Sequence, residues 1–179
     1  MRGKESGLAR ILLAEAQVSL TERYLPRVLA CLRMLPEKEI WWRPNAASNS
    51  IGNLVLHLSG NVRQWIVSGL GGVPDRRNRD IEFSERGPVP RQALIGLLDK
   101  TVGEACKVLR RLRSADLARY YRIQGFRVTG MVAVSHVIEH FGYHTGQIIF
   151  MTKMKRSKDL GFTRLPGEKR KKKPVGKTP

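Results

Sequence analysis

Histidine is scarce in this chain, four among 179 residues, and three of the four stand at 136, 140 and 144 in SHVIEHFGYHTGQ. That spacing places one imidazole on each successive turn of a helix. His140 and His144, four residues apart, can close on a single divalent ion, as the histidine pairs of zinc-binding helices do. His136 extends the stripe by a further turn. The three together span about 12 Å along the axis, too far for one ion to bind all of them. The remaining histidine, His57, lies in IGNLVLHLSGNVRQW. Facing the 140/144 pair, it would complete a set of three neutral nitrogen donors from two helices. Three protein ligands with open positions is the pattern of a catalytic metal site rather than a closed structural one.

Two amides fall where they could brace such a site: Asn61, four residues after His57, and Gln147, three after His144. Either can orient a bound water or hold a ligand by hydrogen bonding. No carboxylate occupies a motif-fixed position as general base. Glu139 falls about 100° from His140 around the helix, and Glu104 is the other nearest candidate. The same stripe also fits a solvated helix edge or a pH-sensitive contact between helices. The neighbours Val132, Val137, Phe141, Ile148 and Met151, with Leu54 and Leu58 beside His57, are apolar. They turn the stripe inward, where imidazoles need partners.

Positioning these residues calls for long helices. Apolar residues from Leu8 to Leu35 recur at helical spacing, and Pro26 should kink or divide that helix because it lacks a backbone donor. PEKEIWWRPNAASNS reads as a connection, with Ser48, Asn49 or Ser50 free to cap a second helix over about 51–70. GLGGVPDRRNRDIEFSERGPVP reads as a long loop. A third helix opens near Pro90 and ends near Arg113. SADLARYYRIQGFRV is mixed, with room for a short extended piece, and Thr129 can cap a fourth helix running to about Lys155. Four amphipathic helices in one small domain give an all-α, four-helix bundle over residues 1–163. The long loop between the second and third helices would serve as a crossover, and a disordered basic tail would occupy 164–179.

Charge and composition set further bounds. The formal net charge is +18, and GEKRKKKPVGKTP alone carries six Lys or Arg against one Glu. Such a tail is expected to be solvated, with weak nucleic-acid contact through counterion release. It lacks the aromatic interleaving that stacks bases. Cys31 and Cys106 lack metal or disulfide spacing and read as free thiols in a reducing cytoplasm. No uncharged run of about 18 residues exists to span a membrane. The glycines of GLGG at 69–72 suit a helix stop, and Trp41, Trp42 and Trp65 suit packing at the bundle end.

HLSGN around His57, taken with EHFGYHTGQI around His140 and His144, resembles the DinB-like (DinB/YfiT-like) superfamily. WWRPN and SNSIGNLVLHLSGN look like one of its bacterial branches, and the resemblance covers roughly residues 6–160. It implies a four-helix bundle holding a divalent metal, Zn or Ni, on His57, His140 and His144, with His136 a bystander. It implies a small-molecule substrate, in a metal-dependent hydrolase or in a transferase using a low-molecular-weight bacterial thiol, and a homodimer. Such an ion could acidify water or bind a thiol as thiolate. The alternatives are a metal-binding module without catalysis and a basic nucleic-acid-associated protein.

Overall fold

The computed structural model describes residues 7–87, 89–163 and 167. The expected basic tail, apart from Gly167, lies outside the described residues. The first rod comprises α1 (Gly7–Val18), a π-helical stretch (Ser19–Tyr24) and α2 (Leu25–Met34). Pro26 does not divide it. The chain widens just before the proline, where the Leu25 N–H reaches back to the Leu20 carbonyl. A widened turn accommodates a ring that a regular α-turn would exclude. The short α3 (Glu37–Ile40) occupies part of the expected connection.

The second rod is α4 (Ile51–Val62), continuing as a π-helical stretch (Arg63–Leu70). Ser50 caps it: its hydroxyl accepts from the Asn53 N–H at 3.1 Å, and the Asn53 side-chain oxygen accepts from the Ser50 N–H at 3.2 Å. The third rod is α6 (Arg91–Leu109), which ends short of Arg113. A short α7 (Ser114–Ala118) follows. The fourth rod is α8 (Gly130–Arg156), capped by the Thr129 hydroxyl, which accepts from the Val132 N–H at 3.3 Å.

The extended piece before α8 is a hairpin of β1 (Tyr120–Ile123) and β2 (Phe126–Thr129), paired antiparallel with Ile123 opposite Phe126. Gln124 and Gly125 form its tip, both with positive φ. That is the two-residue turn whose twist matches a right-handed ribbon.

Long-range contacts fix the directions of the rods. Tyr24 stacks on Phe141 and, further along both, Cys31 meets Thr152, so the first and fourth rods run the same way. Arg63 pairs with Glu104 at 2.7 Å and, further along both, Gly71 lies against Val108, so the second and third do as well. The second and fourth run opposite ways, since Asn61 meets His136 while His57 meets His140. Two adjacent rods that run parallel need a connection as long as the bundle. Residues 71–90 provide it, passing back along the second rod from Gln64 to Asn53 and on to Trp41 before it. Its successive contacts are Gln64 to Asp75, His57 to Glu82, Asn53 to the Glu85 carbonyl, and Trp41 to the Val89 carbonyl. The expected crossover is therefore present, and it carries a helix of its own, α5 (Arg79–Ser84).

The core lies between the rods, with Leu20, Leu32, Leu58, Leu98, Phe141 and Ile148 fully buried. Among the described residues no helix is long and apolar enough to cross a membrane.

Candidate metal centre

α8 carries His136, His140 and His144 as a stripe, and α4 runs opposite to it with His57 facing that stripe. His57 and His140 approach Nε2 to Nε2 at 2.9 Å. The rings of His57 and His144 are 5.1 Å apart, and those of His140 and His144 4.5 Å. One ring nitrogen from each of the three lies within 4.8 Å of the others, so the expected set does converge. His57 and His144 are buried, and His140 is half-buried.

The outer nitrogens decide which atoms face the centre. Nδ1 of His57 lies 2.9 Å from a Glu82 carboxylate oxygen, and Nδ1 of His144 lies 2.7 Å from Oε1 of Gln147. An amide oxygen only accepts, so Nδ1 of His144 donates to Gln147. Nδ1 of His57 lies nearer to the Glu82 carboxylate than to Arg77 Nη2, at 3.1 Å, which already donates to that carboxylate. It therefore donates to Glu82, and each Nδ1 carries the ring proton. Each Nε2 is then a free lone pair, the form a metal requires. A histidine whose rear nitrogen is tied to an acceptor is also the usual arrangement behind a metal ligand. The residues therefore fit a divalent transition ion, for which imidazole is a suitable donor.

The charges also favour neutral rings. Burial holds His140 down to about 3, reinforced by the neighbouring imidazoles of His144, His57 and His136 and by Arg77. Burial also lowers His144, against the opposing pull of the Gln147 hydrogen bond, and lowers His136. Neutral imidazole is the species that binds metal.

Glu82, absent from the sequence reading, is the largest addition. Its carboxylate takes a two-pronged ion pair from Arg77, at 2.7 Å from Nε and 2.8 Å from Nη2, with both side chains buried. Burial alone would raise its pKa. The hydrogen bonds from Arg77 and His57 outweigh that and leave it below the ordinary carboxylate value. Three features of the quoted motifs hold in place the segment that carries this carboxylate. Asn53, fully buried, donates to the carbonyls of Glu82 and Glu85, both at 2.9 Å. Arg43 of WWRPN donates to the Asn53 side-chain oxygen at 2.7 Å and to the Phe83 carbonyl at 3.1 Å. Gly60 of HLSGN leaves the space the carboxylate fills, since a Cβ there would strike Glu82 and Arg77. A local signal for α5 existed in Asn78, whose side chain caps the helix, with Asp80 and Glu82 in its first turn.

The other candidates fall into place around this core. Gln147 braces His144. Asn61 meets His136 Nε2 at 3.1 Å rather than any of the three converging rings. His136 packs on Trp65, with ring centroids 3.9 Å apart, and stands outside the converging set. Glu104 is taken by Arg63 on the far side of the second rod, and Glu139 is exposed.

This four-rod bundle has solved counterparts among DinB-like proteins. The solved structures agree on the fold. A DinB-like protein from Bacillus cereus matches with a TM-score of 0.59 and 15% identity, over 75% of this chain and 87% of that one. A conserved protein from Enterococcus faecalis matches with 0.64 and 17%, over 84% and 96%. A DinB-like protein from Bacillus subtilis matches with 0.59 and 18%, over 86% and 95%. No curated protein matches significantly. The chain has the fold of these DinB-like proteins. It belongs to the family described as "Protein of unknown function (DUF1572)", whose model matches residues 13–169.

Proposed function

We propose that this protein is a divalent-metal-dependent enzyme that directs water or a thiol onto a small-molecule substrate, as a hydrolase or a thiol-dependent transferase. His57, His140 and His144 would hold the ion, zinc or nickel. The observation that carries this reading is the pair of rear hydrogen bonds, Glu82 on His57 and Gln147 on His144, which aim two free lone pairs at a point His140 also reaches. When bound, the ion supplies Lewis acidity and makes water or a thiol nucleophilic near neutral pH.

The chain's own residues do the positioning. Glu82 and Arg77 lock the His57 ring, and Gln147 locks that of His144. Both Glu82 oxygens are engaged, so Glu82 orients rather than abstracts protons. The half-buried His140 lies at the more open side of the cluster. The buried, unbridged Cys31 and Cys106 support a reducing compartment, the cytoplasm, as its location.

Elemental analysis of untagged protein tests the reading. About one equivalent of zinc or nickel is expected after loading, and little in a His57→Ala variant. Wild-type protein that takes up no stoichiometric ion would overturn it.

A further inference from the structure

A groove of about 460 Å³ opens beside the centre, with His144 and Gln147 in its lining. Its size suits a small molecule. Leu54, Tyr143, Phe150, Met151 and Met154 form its apolar wall, and Ser48 and Asn49 add polar atoms. No Lys, Arg, Asp or Glu lines it, in a chain with 33 basic and 15 acidic residues.

The nearby cations are engaged elsewhere. Arg43, next to the lining residue Pro44, is spent on Asn53 and the Phe83 carbonyl. Lys155, next to Met154, sits over the Trp42 ring at 3.4 Å from its centroid. Arg156 pairs with Glu39. One donor does face outward in chemical terms: the Gln147 oxygen is used by His144, while its NH₂ has no partner among the described residues.

We propose that this groove is the substrate site and that it takes a neutral, largely apolar molecule bearing a carbonyl acceptor for the Gln147 amide. The proposal rests on the metal-enzyme reading and narrows it. A charged group laid along this wall, away from the ion, would lose hydration and meet no opposite charge. A thiol whose free carboxylates would have to lie there is therefore disfavoured, and a neutral ester, amide or thiol is favoured.

Two dyes of one skeleton test the charge rule: neutral N-phenyl-1-naphthylamine and its anionic sulfonate, 8-anilino-1-naphthalenesulfonate. Full-length protein should bind the neutral dye at one site. Phe150→Glu, at a position 65% exposed and so tolerant of charge, should weaken that binding at least tenfold. Leu8→Glu, at an exposed position in a different groove, should leave it unchanged. The proposal is overturned if Phe150→Glu has no effect, if Leu8→Glu weakens binding equally, or if the sulfonate displaces the neutral dye with equal affinity. Metal content measured on the same samples separates the two readings. Loaded wild type that fails the dye test sinks the neutral-substrate inference alone. Wild type that takes up no metal sinks the enzyme reading beneath it.

Discussion

The Glu82 carboxylate sits 2.9 Å from Nδ1 of His57, on the nitrogen opposite the one that meets His140. A side chain from the crossover thus sets the tautomer of a ring on the second rod.

Glu82→Gln keeps the shape and removes the charge. Loss of such a rear partner lowers metal affinity roughly 10–100-fold. Competition of the variant and wild type for zinc against a chromophoric chelator should show that difference, with equal stoichiometry at saturation. Equal affinities would mean that the contact does not brace a ligand.

Arg77→Met breaks a buried ion pair and leaves the Glu82 charge without its main partner. Breaking such a pair costs about 3–5 kcal/mol, whereas replacing both members by apolar residues is often close to neutral. Urea unfolding should therefore show Arg77→Met far less stable than the double variant with Glu82→Leu. The double variant should still bind metal weakly, because its His57 ring is no longer held.

Gly60→Ala would ordinarily favour a helix by about 1 kcal/mol. Here the added Cβ runs into Glu82 and Arg77. Thermal unfolding should show a net loss of stability, and zinc affinity should fall along with it. A stabilised variant with unchanged affinity would contradict the packing described.

His136→Ala and His140→Ala should separate within one stripe. The first loses the contacts to Asn61 and Trp65, yet should keep one equivalent of metal. The second should lose stoichiometric binding. Elemental analysis of both proteins reads the outcome directly.

The metal-free protein should lose stability as the solution is acidified. The folded chain holds His140 at about 3 against an ordinary value of 6.5 and lowers His136 and His144 as well. The unfolded chain therefore binds more protons once the pH falls below about 6.5, and stability drops from there towards pH 3. Glu82, also lowered, adds a loss of the same sign below its ordinary value of 4.5. Urea midpoints of chelator-treated protein should be level between pH 8 and 7 and fall by pH 5. A midpoint that rises on acidification would reverse the sign argued here.

Much was determined by the sequence alone, because its signals are local. Helical periodicity, the Ser50 and Thr129 caps and the histidine spacing act within a turn or two of backbone. They place four rods and put His140 beside His144 wherever the chain goes. The length of 71–90 made a crossover possible, and Pro26, expected to kink or divide its helix, does not divide it, because a π-helical stretch before it accommodates the ring. What the tertiary structure decided was which distant groups meet. Arg77 and Glu82 lie in a charged stretch that looks solvated from its composition, and burial pays off there only because each completes the other beside His57. Asn61 is one turn from His57 in sequence, yet the antiparallel crossing of α4 and α8 carries it past His140 to His136. Burial and partner choice depend on the packing of whole rods, and no window of a few residues contains that information.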